Sequence, residues 1–484
     1  MDTRNRARQA SKAPKEEGRQ ALPRSPRVAR TLHHDLGLRL VKALNVLLVT
    51  LPFAYVWVMY YTHTVLMFPS FYRGSGIILM FMVLYSFFGR IYDGFLISLK
   101  KVFETFYSQA LATLFADAFM FLVLWLMSNA FPNLLPAVGA LCCQLALSLV
   151  WCAVTRRWYF AHYGGQKTGV VYDVRRGVEG LFGRYGMDKK FDVQFACTVE
   201  SCLEGGMRML DDLDAVFLCG VHSHERNIIL KHCVANGITV YIIPRVGDVI
   251  MSSAKKIHMF HLPIMRVDRY NPPPEYLVMK RAADILFSGC LLVLLSPVML
   301  VTAAAIKLCD GGPVFYRQTR LTKNGREFQI MKFRSMVVSA EQDGVARLSS
   351  GEQDDRITPV GRVIRACRVD ELPQLFNILG GSMSIVGPRP ERPEIAAQYE
   401  KEMPEFALRL QAKAGLTGYA QVYGKYNTTP YDKLQLDLMY ISRPNFVEDM
   451  KIVFATLPIL FSPESTEGVA DGRPAAGPED RPAA

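Results

Sequence analysis

The alternation of apolar and polar positions divides the chain into three regimes. The first holds four long apolar runs, at 41–61, 76–98, 106–128 and 134–154. Each is long enough to cross a bilayer as a helix, so residues 40–157 are expected to form a four-helix transmembrane bundle. The second regime, 166–265, alternates short apolar stretches (KTGVVYDV, FDVQFAC, DAVFLCGV, ITVYIIPRV) with helical patterns. That rhythm predicts a parallel, Rossmann-like α/β module. The third regime, 278–463, opens with a fifth apolar run at 285–306 and then mixes short elements with many charges.

The fifth run is long enough to span, but its flanks argue against a crossing. Lys280 and Arg281 precede it, Lys307 follows it, and Ser296-Pro297 falls at its middle. Proline removes one helical hydrogen bond and bends the helix, and Ser296 can satisfy a group freed there. A helix–break–helix that enters and leaves through one face keeps both basic flanks on the same side. The expectation is a re-entrant segment broken at Ser296 and Pro297.

Charge orients the bundle. Arg90, Lys100 and Lys101 lie between the second and third runs, and Arg156 and Arg157 follow the fourth, whereas the other two loops carry only Arg73. The positive-inside rule puts both ends of the bundle in the cytoplasm. Asp117 stands within the third run, and a hydrogen bond to a neighbouring helix, or a protonated acid, accounts for it more simply than a functional role. Half of the net charge of +12 lies in residues 1–39, a basic tail with Pro and Ser between its charges that is expected to be disordered and to touch anionic lipid. Residues 464–484, rich in Pro, Gly and Ala, are expected to be disordered as well.

Other classes drop out. The ten cysteines form no CxxC pair or metal spacing, which fits reduced thiols. No helix-turn-helix, zinc-finger or RNA-binding signature accompanies the basic charge, so nucleic acid is not an expected partner. The first strand of the α/β module is not followed by GxGxxG. Its glycines come at Gly177, Gly180 and Gly183, so no dinucleotide cofactor is expected.

Chemistry crowds into the third regime. RVDELPQLFNIL (368–379) places Asp370 beside Glu371 ahead of Leu-Pro. Taken alone, this is a helix start with Asp370 as N-cap and Pro373 in the first turn. The surroundings add Lys332 and Arg334, Arg362, Arg365 and Arg368, and Arg389 and Arg392 in a proline-rich turn. Guanidinium groups suit phosphate. Adjacent acids suit two jobs: one carboxylate attacks phosphorus while the other holds a divalent cation.

KFRSM (332–336), DELPQLFNIL (370–379), SMSIVGPRP (382–390) and GLTGYAQV (415–422) occur in that order within a stretch of about 180 residues, from Lys280 to Pro463. The combination resembles the bacterial sugar transferases, the polyprenyl-phosphate phosphoglycosyl transferases with a monotopic catalytic core, in their large form. The resemblance implies a mainly helical, α/β-poor catalytic domain on the cytoplasmic face of the bacterial inner membrane. It implies Asp370 as the nucleophile on the β-phosphate of a UDP-hexose and Glu371 as the Mg²⁺ ligand, with Asp370 adjoining the metal. Lys332, Arg334, Arg365, Arg368, Arg389 and Arg392 are the expected phosphate-binding group. The product would be a polyprenyl-diphospho-sugar, the first lipid-linked unit of a surface polysaccharide. Ala414, Tyr419 and Arg368 depart from the family's usual Pro, Trp and Ser; Arg368 adds charge next to the nucleophile.

Two other readings compete. A glycosyltransferase moving only the sugar would release UDP rather than UMP, and a membrane scaffold would use the acids only as a cap. The extra apolar surface suggests a homodimer. Which sugar is transferred is not legible.

Overall fold

The computed structural model describes residues 26–62, 70–128, 130–173, 179–184, 187–337, 356–424 and 429–459. Of the basic tail expected to be disordered over 1–39, residues 1–25 lie outside these residues, as do the tail expected at 464–484 and the turn with Gly177. Over 26–39 the expectation is corrected, because those residues open the first helix. The chain divides into two compact units, Met1–Ile243 and Pro244–Ala484.

In the first unit, helices α1 (Pro26–Val56, continued as a wider π turn to Tyr61), α2 (Ser70–Ile91), α3 (Val102–Met127) and α4 (Leu135–His162) form a bundle. All four are long and apolar enough to cross a membrane. Their burial runs opposite to that of a water-soluble bundle. Leu51, Leu79, Leu126 and Val150 face outward, whereas Asn45, Gln109, Gln144 and Ser148 are fully buried. Helices in lipid gain nothing from hiding leucine, so small and polar side chains take the interface. Tyr85 donates to Asn45 at 2.7 Å, and Gln109 donates to the Gly94 carbonyl at 2.9 Å. Gln144 reaches Asp117 across the bundle, as a structural role for that acid requires.

The second helix ends earlier than the apolar pattern predicts, at Ile91 rather than 98. The chain turns there through Asp93, in the left-handed region, and Gly94 N–H bonds the Gly89 carbonyl at 2.8 Å. The apolar 95–98 stretch that extended the pattern belongs to this turn. The fourth helix instead runs on into the basic flank, to His162.

The α/β module is a four-stranded parallel sheet in the order β2-β1-β3-β4, from β1 (Gln166–Tyr172), β2 (Phe191–Thr198), β3 (Ala215–Cys219) and β4 (Thr239–Ile243). Val171, Val216, Leu218 and Ile229 fill one side of it. The antiparallel hairpin Lys255–Met259/Leu262–Arg266 belongs to the second unit.

The second unit is mainly helical. Its β-structure comprises that hairpin, a second hairpin (Phe315–Leu321 with Glu327–Phe333) and a short parallel pair (Ser384–Val386 with Gly415–Thr417). The fifth apolar run lies within one helix, Pro274–Asp310, and here the expected interruption is corrected: the backbone stays helical through Ser296 and Pro297. Pro297 cannot donate to the Val293 carbonyl four residues back. Ser296 Oγ donates to that carbonyl at 2.7 Å, filling the gap proline leaves.

Candidate active site

The acids sit on a single 3-10 turn, Val369–Glu371, between helix Pro359–Ala366 and helix Gln374–Leu379. Thr358 caps the first of these, its Oγ1 accepting from Gly361 N at 2.9 Å, with Pro359 at the first helical position. The reversal between helix and turn falls on Arg368, whose φ is +55°. A left-handed conformation costs a residue other than glycine about 1–2 kcal/mol. The helix-cap reading of Asp370 is corrected: Pro373 occupies the cap of Gln374–Leu379, which has no side-chain cap.

Four contacts fix the turn. Asn377 accepts from Met331 N at 2.9 Å and donates to the Gln329 carbonyl at 2.8 Å, docking its helix on the edge of strand Glu327–Phe333. Ile330 on that strand packs on Leu375 and Ile378. Lys332, two residues along and so on the same face, then reaches the acid pair. At the far end of the helix, Arg281 donates to the carbonyls of Ile378 and Leu379, both at 2.7 Å. A cation there satisfies free carbonyls and complements the helix dipole. Arg281 belongs to the long helix, which also plants Asp284 on the parallel pair: its carboxylate accepts from Ile385 N at 2.9 Å and from Ser384 Oγ at 3.1 Å.

The two acids have opposite surroundings. Glu371 Oε1 accepts from Lys332 Nζ at 2.8 Å and from Arg389 Nη2 at 3.0 Å, and Arg368 Nη1 stands 3.9 Å from Oε2. Burial alone would raise its pKa, but Lys332, Arg389 and Arg368 outweigh it and hold the carboxyl well below the usual range. Glu371 stays ionised. No side chain among the described residues hydrogen-bonds the Asp370 carboxylate. Burial, then the charge of Glu371, pushes its pKa up to about 6 against the pull of Lys332, Arg365 and Arg368.

Arg389 is held by its backbone. Arg409 donates to the Arg389 carbonyl at 2.8 Å and Arg320 to the Pro390 carbonyl at 3.1 Å. Arg409 is itself pinned by Asp437, at 2.6 Å, with both side chains buried. The turn starts at Gly387, whose N–H bonds the Thr417 carbonyl at 2.8 Å. The backbone of 413–415 is so close that a Cβ on Gly387 would lie 3.0 Å from Gly415 N and would overlap the Lys413 carbonyl.

Of the expected phosphate ligands, Lys332, Arg365, Arg368 and Arg389 converge on the acids. Two do not. Arg334 is buried, with Nε donating to the Pro313 carbonyl at 2.7 Å and both Nη groups on Asp310, where it fastens the end of the long helix. Arg392 occupies the N-cap position of helix Pro393–Glu402, beside Arg320. The sequence reading missed Arg409, Asp437, Arg320 and Asn377. Only Asn377 carried a signal, as a polar residue inside an otherwise apolar helical run.

Two acids among four cations, beside an apolar helix, suit an anionic phosphate substrate. The family model described as bacterial sugar transferase matches residues 275–463, from the start of the long helix through the final one. The chain is 39% identical over 231 residues to a UDP-N-acetylgalactosamine-undecaprenyl-phosphate N-acetylgalactosaminephosphotransferase of Aeromonas hydrophila, covering 47% of this chain and 53% of the relative. It is 41% identical over 191 residues to a UDP-glucose:undecaprenyl-phosphate glucose-1-phosphate transferase of Caulobacter vibrioides, covering 38% of this chain and 71% of the relative. Over 190 residues it is 40% identical to an exopolysaccharide production protein of Rhizobium leguminosarum, covering 37% of this chain and 94% of that protein. The chain belongs to the bacterial sugar transferase family. It spans about half the length of the Aeromonas relative.

Proposed function

We propose that this chain transfers a sugar 1-phosphate from a UDP-sugar to polyprenyl phosphate at the inner face of the bacterial cytoplasmic membrane. The observation that carries the reading is the division of labour at residues 370 and 371. Glu371 is locked by three cations, while no side chain among the described residues hydrogen-bonds the Asp370 carboxylate, which is largely ionised at neutral pH.

Asp370 attacks the β-phosphorus. The bond from that phosphorus to the bridging oxygen breaks, and UMP leaves with the electron pair. An oxygen of polyprenyl phosphate then attacks the same phosphorus and expels the Asp370 carboxylate, giving the polyprenyl-diphospho-sugar and restoring the enzyme. Lys332, Arg365, Arg368 and Arg389 neutralise the diphosphate as charge shifts to the leaving group.

The donor set also fits Mg²⁺. Glu371 Oε2 and the Asp370 carboxylate are the hard oxygens left once Oε1 is taken by Lys332 and Arg389. With four cations facing two acids, a divalent ion gains most when it arrives with the donor diphosphate. Its chemistry would be to offset charge on the departing phosphate.

A re-entrant course for the long helix supports the same reading, because it keeps acids, donor and lipid head group on one side. Residues on both sides of Pro297 fasten to the same unit: Lys280 to Asp449 at 2.8 Å and Arg281 to Ile378 on one side, Met299 and Ile306 to Phe333, and Asp310 to Arg334, on the other. A cysteine near Asn324 should resist an external thiol reagent, whereas one in the 128–134 loop should react. External labelling near Asn324 would defeat re-entry.

The decisive experiment mixes purified enzyme with UDP-sugar alone and seeks a phosphosugar adduct on Asp370 by mass spectrometry, with UMP as released product. Release of UDP instead would identify a glycosyltransferase.

A further inference from the structure

Gln421 lies in the GLTGYAQV stretch, outside the acid–cation cluster. Among the described residues, Nε2 and Oε1 are both buried and neither has a hydrogen-bond partner. Exchanging the amide nitrogen and oxygen would not help, because both ends are unpaired. An unsatisfied buried polar atom is unfavourable, and this side chain holds two.

Its place is informative. The carboxamide folds against Gly418, where a Cβ would come within 2.9 Å of Oε1. Gly418 in turn abuts the carbonyl of Gly387, which begins the turn that presents Arg389 to Glu371 at 3.0 Å. Two glycines, Gly418 and Gly387, thus connect Gln421 to the turn that carries Arg389. Tyr423, two residues on, is a half-exposed aromatic.

A phosphate does not suit this group. It would take Nε2 and leave Oε1 unpaired, and cations already serve that purpose nearby. A ligand that satisfies both atoms must present a donor and an acceptor side by side. The imide edge of uracil does so, and a carboxamide reads such an edge in bidentate fashion. An aromatic side chain nearby offers a surface on which a base can stack.

We propose that Gln421 recognises the nucleobase of the donor, its carboxamide pairing with the imide edge of uracil. This rests on the reading of the chain as a UDP-sugar transferase and adds the element that selects the nucleotide.

The test uses the full-length membrane protein with UMP and ribose 5-phosphate as probes, and with Gln421→Leu and Gln421→Glu as variants. UMP affinity should fall about tenfold to a hundredfold in both variants, the discrimination of a bidentate carboxamide pair. Ribose 5-phosphate affinity should not change, and KM for UDP-sugar should rise far more than kcat falls. The Leu variant should also unfold at a higher temperature than the parent, since it removes two unpaired buried atoms. UMP affinity at the parent level in both variants would overturn the proposal, as would equal losses for both probes. So would a loss confined to UDP-sugar, which would transfer the contact to the hexose. The parent reading fails separately, by absence of UMP release or of the Asp370 adduct, and the UMP titration stands either way.

Discussion

The buried polar side chains of the membrane bundle, Asn45, Gln109, Thr113, Gln144 and Ser148, carry no formal charge. The second unit adds ion pairs in which at least one partner is buried: Arg409 with Asp437 at 2.6 Å, Lys280 with Asp449 at 2.8 Å and Arg334 with Asp310. The environments explain the difference. In lipid an unpaired charge costs more than a neutral amide, so amides and hydroxyls join the helices. In the second unit a buried charge persists because its partner is fixed, each pair being held by further hydrogen bonds. Each unit has one acid that departs from its rule. Asp117 is an acid in the neutral interior, and Asp370 is an acid without a side-chain hydrogen bond among matched charges. The first sits beside an amide and can rest there, while the second faces cations that suit a substrate.

Removing the acid that matters should have the largest effect. Asp370→Asn keeps the shape and removes the nucleophile, so turnover should fall about a thousandfold or more, with loss of the covalent adduct by mass spectrometry. Near-parental turnover would break the contrast between the two acids. Asp437→Asn removes the nearer charge partner of buried Arg409, leaving Glu391 at 3.5 Å, and should cost about 1.5–3 kcal/mol of stability, measured by denaturant unfolding. If it costs nothing, the matched pairs do not hold that unit together.

The pH profile should be next in size. The Asp370 carboxyl titrates at about 6 and acts only when ionised, so the rate of adduct formation should be nearly full at pH 7. Below that pKa it should fall about tenfold per pH unit. A profile flat down to pH 5 would show that the carboxyl is not raised. The smallest effect is expected at Asp117→Asn, which keeps hydrogen-bonding capacity in a neutral interior. The change in stability read from its thermal midpoint should be less than about 1 kcal/mol, because Asn keeps the shape of a side chain that the bundle holds beside Gln144. A large loss would mean that Asp117 does more than join helices.

The acids and the cations were legible in different measure. Asp370 and Glu371 stood out because adjacent like charges before Leu-Pro need a reason, and Lys332, Arg365, Arg368 and Arg389 because basic residues recur around them. Arg334 and Arg392 looked the same on paper. The structure spends Arg334 on Asp310 and the Pro313 carbonyl, and places Arg392 at the start of helix Pro393–Glu402 beside Arg320. A one-dimensional pattern does not reveal whether a guanidinium is already engaged. The apolar runs gave the number of long helices but overran the end of the second, where Asp93 and Gly94 turn the chain.

By itself, then, the sequence determined the long apolar helices, the α/β rhythm that follows the first four of them and the acid pair, because each is written in spacing along the chain. Only the tertiary structure decided that Asn377 docks its helix on the Lys332 strand and that Arg409 steadies the Arg389 turn. It also decided that Ser296 fills the gap left by Pro297, and that one acid of two stays unbound. Those outcomes depend on which distant backbone groups meet, and residues far apart in sequence carry no local mark of their partners.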